Sequence, residues 1–235
     1  MKRKNKWVLI GMMLLSTQAH AQTRHEWWSK LMLRFPISGR LSGVVDMRYR
    51  RQANTPAGEQ NPLQEDLAEG VQIGLSYRLP KGYSVLFYPV ARMFFWDFPN
   101  PTTGTQQLTD EWRVSGGLTR TWALNSRLKM NMRGVYESRH MKKGTSPRTE
   151  YARYRFLTTL TVPLRKMGNQ QLNLSPFVEL FGKSTETQFT NWDQSWSGAR
   201  VIWSHPKTDF ALGVQYVAQG STRKAVGISE VTLKF

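Results

Sequence analysis

From Trp27 onward the chain alternates apolar and polar residues one by one, and this period of two most narrows the choice of fold. Successive side chains on an extended strand point to opposite faces, so strict alternation marks strands with one apolar and one polar face. LSGVVDMRYR sets Leu41, Val45, Met47 and Tyr49 against Arg40, Asp46, Arg48 and Arg50. VQIGLSYRL sets Val71, Ile73, Leu75, Tyr77 and Leu79 against Gln72, Gly74, Ser76 and Arg78, and RLKMNMRGVYE sets Leu128, Met130, Met132 and Tyr136 against Lys129, Asn131, Arg133 and Glu137. Few segments show a helical period. The pattern predicts eleven strands, at 27–37, 40–51, 70–79, 83–96, 111–122, 127–138, 151–164, 172–182, 194–204, 209–217 and 226–235.

The connections alternate too. SG, PKG, ALNS, RKMGNQQ and HPKT are short and rich in turn formers, whereas 52–69, 97–110, 139–150, 183–193 and 218–225 are longer and polar. Short turns at one end and long loops at the other predict an all-β chain, a transmembrane antiparallel up-and-down β-barrel with periplasmic turns and extracellular loops. A periplasmic β-sandwich would alternate in the same way. The tryptophans favour the barrel, because Trp27, Trp28, Trp96, Trp112, Trp122, Trp192, Trp196 and Trp203 fall near strand ends, where an amphipathic ring sits among lipid headgroups.

The first 21 residues read differently. MKRKNKWVLIGMMLLSTQAHA carries Lys2, Arg3, Lys4 and Lys6, an apolar run from Trp7 to Leu15, and Ala19-His20-Ala21 as a small-x-small cleavage signal. This predicts a secretory signal peptide over 1–21, cut before Gln22, and a barrel domain over 22–235. A membrane anchor is the alternative, but the apolar run rises only about 14 Å as a helix against a hydrocarbon core of about 30 Å. No later stretch reaches the roughly 20 apolar residues of a membrane helix, a filter that barrel strands evade. The expected location is the bacterial outer membrane.

Charge then bears on partners. The formal net charge is +17, and subtracting the four cations of the leader leaves +13. Nucleic acid is the usual partner of so basic a chain, but an exported protein meets instead anionic lipid headgroups, lipopolysaccharide phosphates or an anion in its lumen. The expected partners are outer-membrane lipids and lipopolysaccharide, with no nucleic acid, and the expected state is a monomer. The chain has no cysteine, which removes disulfides and thiol chemistry.

Three stretches, TDEWRVSGGLTRTWALNSRLKMNMRGVYESRH, EYARYRFLTTLTVPL and LSPFVELFGK, resemble a bacterial outer-membrane β-barrel family known only as a domain of unknown function. The resemblance implies the barrel and supplies no activity. The last strand ends VTLKF, and Phe235 resembles the terminal aromatic signal read by the barrel-assembly machinery. Eleven strands is an odd number, whereas single-chain bacterial barrels have even ones, so ten to twelve is the expected range and twelve the single choice.

With the apolar face in lipid, the lumen would be lined by Lys30, Arg34, Arg48, Arg50, Arg78, Arg92, Arg113, Arg133, Arg153, Arg155 and Arg200, with Asp46, Glu137 and Glu179. Such a lumen is either filled by its own side chains, arginine forks holding carboxylates, or serves as a narrow anion-preferring pore or anion site. A second candidate lies in YESRH. Ser138 and His140 are two apart, so both face lipid near the outer end of their strand. The pair is similar to the catalytic pair of outer-membrane phospholipase A, in which the histidine precedes the serine and an asparagine of the next strand orients it. Here the order is reversed, and Glu150 would take the orienting place. His25, His140 and His205 show no metal-ligand spacing, and nothing predicts a metal or organic cofactor.

Overall fold

A computed structural model describes residues 25–53, 61–97, 107–125, 128–185, 188–220 and 222–235, the side chains of 185–191 excepted. The alternating segments form eleven strands: β1 (Glu26–Ser38), β2 (Leu41–Gln52), β3 (Glu65–Arg78), β4 (Tyr83–Trp96), β5 (Leu108–Ala123), β6 (Lys129–Lys143), β7 (Thr149–Met167), β8 (Gln170–Thr185), β9 (Gln188–His205), β10 (Thr208–Gln219) and β11 (Thr222–Lys234). Each strand pairs antiparallel with the next, and β1 closes the barrel against β11. That last pairing is parallel, with Trp28 opposite Ile228 and Leu33 opposite Leu233. Closure leaves none of the described strands with an open edge.

The parallel seam explains the strand number. An all-antiparallel barrel must have an even count, which is why a twelfth strand was expected. When the closing pair is parallel the count is odd, and eleven strands close without one. The seam is stitched on its outer face by Ser29 Oγ and Ser229 Oγ at 2.9 Å, with the Trp27 indole N–H donating to Ser229 Oγ at 3.1 Å. Inside, Lys224 Nζ meets Glu26 Oε1 at 2.6 Å.

At the loop end the strands run farther than alternation predicts. Most of 139–150, 183–193 and 218–225, expected as long loops, belongs to β6, β7, β8, β9, β10 and β11. The reason is visible in ESRHMKK, where both faces have turned polar and alternation no longer marks a strand that the ladder still continues. The links from 53 to 64 and from 97 to 107 remain long. Their portions 54–60 and 98–106, like the leader expected over 1–21, lie outside the described residues.

The two faces are inverted relative to a protein folded around an oily centre. Val71, Ile73, Leu75, Phe87, Leu118, Met132, Phe156, Val178, Leu212 and Val214 are exposed on the outside, while Asp46, Gln72, Glu111, Arg113, Glu137 and Glu179 are buried within. Trp112, Trp192 and Trp203 lie outside, near the ends, as expected of rings at a headgroup boundary. Trp28 and Trp196 do not. They turn into the barrel and meet edge-on with centroids 4.9 Å apart, and Phe181 stacks obliquely on Trp196 at 4.5 Å. Trp28 shares the parity of Lys30, so its place on the strand faces it inward despite its nearness to the strand end.

Candidate functional site

The inner face carries a ladder of carboxylates and guanidiniums crossing four strands. Glu111 on β5 accepts from Arg113 Nε at 2.7 Å and from Arg139 Nε on β6 at 2.7 Å. Arg113 also reaches Glu137 at 3.6 Å. Glu137 takes Arg153 Nη2 at 2.6 Å and Arg155 Nη1 at 2.8 Å from β7, and Arg155 goes on to Glu179 Oε1 of β8 at 2.7 Å. The register creates this: Glu137 faces Arg153 directly across the β6–β7 pair, and residues two apart on one strand share a face. Elsewhere Asp46 holds Arg48 at 2.9 Å, and Glu230 holds Lys30 at 3.1 Å and Arg200 at 2.9 Å.

Two spaces remain between these side chains. The deeper, of about 140 Å³, is bordered by Asp46, Gln72, Tyr88, Glu137, Glu179, Glu230, Trp28 and Trp196 together with Lys30, Arg48, Arg50, Arg133, Arg155 and Arg200. The other, of about 270 Å³, is lined by Arg48, Arg50, Arg113, Arg139, Arg153 and Arg155, with Tyr151, Gln194, Gln219, Met93, Phe95 and Trp196, and no acidic side chain borders it. It lies on the loop side, since its residues belong to the loop-end halves of β2, β4, β5, β6, β7, β9 and β10. The two spaces meet at Arg48, Arg50, Arg155 and Trp196.

Two guanidiniums of this lumen have no anionic partner among the described residues. Arg50 stacks on the Trp28 ring, with Cζ 3.8 Å from its centroid, and Trp28 is fixed in turn by its indole N–H donating to Glu26 Oε2 at 2.9 Å. Arg133 borders the deeper cavity, and its Nε is buried without a hydrogen-bond partner. Space lined by guanidiniums without carboxylate partners attracts anions, because the low dielectric around it strengthens each charge–charge contact.

The structure sorts the expected lumenal residues into three groups. Lys30, Asp46, Arg48, Arg50, Arg113, Arg133, Glu137, Arg153, Arg155, Glu179 and Arg200 are brought together inside. Arg34 and Arg78 are exposed at the turn end, where Arg78 Nη2 lies 3.5 Å from Gly39 O, a long contact at the rim. Arg92 is on the outside, half exposed, paired with Asp110 at 3.1 Å and lying over the Phe94 ring. Its expected inward place assumed unbroken alternation, but the β4–β5 register shifts between Tyr88 and Ala91 and reverses the faces beyond. Pro89, which has no N–H to give to a ladder, was the sequence signal for that bulge. Gly74 makes room for it, since a Cβ there would strike the Phe87 carbonyl and the Tyr88 ring.

Sequence reasoning passed over five charged inner residues, Glu26, Glu111, Arg139, Lys224 and Glu230. Glu111 and Arg139 share the parity of Arg113 and Glu137, but Arg139 fell in a segment read as loop. With these three acids counted, the lumen is far closer to charge balance than the eleven-to-three ratio of the expected set.

The outer face holds the second arrangement. Ser138 Oγ lies 3.4 Å from His140 Nε2, and His140 Nδ1 lies 2.9 Å from Glu150 Oε1, directly across the β6–β7 pair. Among the described residues no group of three or more His, Asp or Glu side chains is arranged to hold a metal ion.

Comparison with protein families matches the chain to a model described as "Protein of unknown function (DUF2490)", over residues 25–226. That span runs from the residue before β1 into β11. No curated protein matches the chain.

Proposed function

Starting from the fact that the chain belongs to the DUF2490 family, whose description names no activity, we propose that it is a monomeric outer-membrane barrel that binds a small anion in its lumen. Its leader is 1–21, removed before Gln22. The apolar exterior sits in the bilayer, the turns face the periplasm, and Phe235 serves the barrel-assembly machinery. Lipids and lipopolysaccharide surround it. What supports the membrane reading is the exterior, a continuous belt of exposed Val, Leu, Ile, Phe and Met that would be costly in water, flanked by aromatic rings.

The observation that carries the binding reading is Arg50. It borders both spaces without a carboxylate partner, its Cζ 3.8 Å from the centroid of the Trp28 ring. An anion arriving from the loop side first meets a vestibule whose charged lining side chains are all arginines. It then meets Arg50 and, deeper, Arg133. The Arg–Glu ladder borders both spaces, which favours capture over free passage.

Calorimetric titration of the refolded protein with inorganic phosphate, and separately with benzoate, tests this. Saturable binding weakened at least tenfold in Arg50→Met, with no steady conductance in planar bilayers, is the expected result. No saturable heat for either anion, or binding indifferent to Arg50→Met, refutes it.

A further inference from the structure

The outer face of β6 and β7 carries an independent chemistry. His140 and Glu150 are direct cross-strand partners, and Nδ1 is 2.9 Å from the carboxylate. A proton on Nδ1 donated to Glu150 leaves Nε2 bare, and Nε2 is the atom that faces Ser138 Oγ at 3.4 Å. The hydroxyl is thus the donor, the imidazole the acceptor and the carboxylate the group that fixes the tautomer. This is the arrangement that turns a serine into a nucleophile. The period of two explains how a flat sheet builds it: Ser138 and His140 share a face, and antiparallel register supplies the third member from the neighbour.

The place of the chain matters as much as its order. Tyr136, two residues below Ser138, and Trp112, directly across from His140, are each about half exposed on the same face. Rings at that level mark the boundary where the acyl esters of membrane lipids lie. We infer that Ser138, His140 and Glu150 form a lipid acyl hydrolase site open to the outer leaflet, with a long-chain fatty acyl ester as substrate. Ser138 Oγ attacks the ester carbonyl carbon while its proton passes to His140 Nε2. The bond to the alcohol oxygen then breaks, and that oxygen takes the proton from His140. Water, deprotonated by the same nitrogen, attacks the acyl-serine, releases the fatty acid and restores the hydroxyl. Val114 and Ala152 face Ser138 on its two flanks and give the acyl chain an apolar bed. Glu150 acts through His140 and is a positioning residue.

The test uses full-length protein refolded into two sets of vesicles, phosphatidylethanolamine with phosphatidylglycerol, and the same mixture containing lipopolysaccharide, with released fatty acid measured. Release in both sets assigns the glycerophospholipid ester, and release only in the second assigns the lipopolysaccharide acyl ester. Ser138→Ala should bring release to background and His140→Ala should lower it by about 10²–10⁴-fold, with both variants still showing the folded gel mobility. Glu150→Gln should lower kcat with KM unchanged, and Glu150→Asp should restore part of it. A fluorophosphonate should add its mass to Ser138 in the wild type, a reading independent of turnover. No release in either set, or release undiminished in folded Ser138→Ala, overturns the inference.

Discussion

Replacing Glu137 with glutamine tests whether the arginine ladder holds the barrel together. Glu137 is 1 % exposed and receives Arg153 at 2.6 Å, Arg155 at 2.8 Å and Arg113 at 3.6 Å. At about 2.7 Å and an effective dielectric near 20, one such contact is worth about 6 kcal/mol gross. Most of that offsets the removal of both ions from water, and deleting one partner of a buried pair costs about 3–5 kcal/mol net. Glutamine keeps the shape and one acceptor oxygen but cancels the charge. Arg155 then retains only Glu179 and Arg113 only Glu111, while Arg153 is left without an anion. The expected loss is therefore about 3–5 kcal/mol, a factor of roughly 10²–10³ or more in the folding equilibrium. The measurement is reversible urea unfolding in one fixed micelle or vesicle system, followed by the heat-modifiable gel shift. Asp66→Asn supplies the contrast, since its pair with Arg51 is exposed on the outside and such pairs contribute about 1 kcal/mol or less. If Glu137→Gln unfolds within about 0.5 kcal/mol of wild type, or no more easily than Asp66→Asn, the inner ladder is not what stabilises the closed barrel.

Neighbouring residues on β6 check the two faces. Met132 is 45 % exposed on the outside, so Met132→Arg should destabilise insertion into lipid by about 2–4 kcal/mol. Arg133→Met, which breaks no ion pair, should fold as well as wild type; the opposite ranking in a vesicle-refolding assay would invert the faces. Cysteine placed at Lys142 should react with an impermeant maleimide on intact cells while cysteine at Lys81 does not, and the reverse pattern would turn the barrel over. Mass spectrometry of membrane-extracted protein should give Gln22 as the first residue, and a retained Met1 would remove the leader.

Much of the architecture was legible because alternation reports a physical asymmetry, one face apolar and the other charged. Met132 and Arg133 are placed by it, as are Asp46, Glu137 and Glu179. The signal fails in two circumstances. Where both faces become polar, as from Glu137 to Lys143, the ladder continues unannounced, and Arg139 was lost to a supposed loop. Where a bulge inserts a residue, parity flips, and Arg92 was carried to the wrong side despite Pro89 beside it. Alternation itself marks eleven strands, the number observed; the even-number rule moved the choice to twelve, because nothing along β1 or β11 states in which direction they pair. The spacing of Ser138 and His140 was plain in the sequence, and Glu150, expected in the orienting place, stands directly opposite His140 across the hairpin.

The parallel seam also limits how this chain could be rewired. In an all-antiparallel barrel the first and last strands meet at a common pole, and a few residues suffice to join them so that the chain can be cut open elsewhere. Here β1 enters at the loop pole, and β11, of the same 13 residues, leaves at the turn pole. A bridge between them would have to cover a strand length, about 43 Å of extended chain. Threaded through the interior it would displace the Arg–Glu ladder, and laid along the outside it would leave its peptide groups unpaired over the apolar belt. A circular permutant of this barrel should therefore fail at the junction, whereas exchange of a whole hairpin, which leaves both poles as they are, should be accepted.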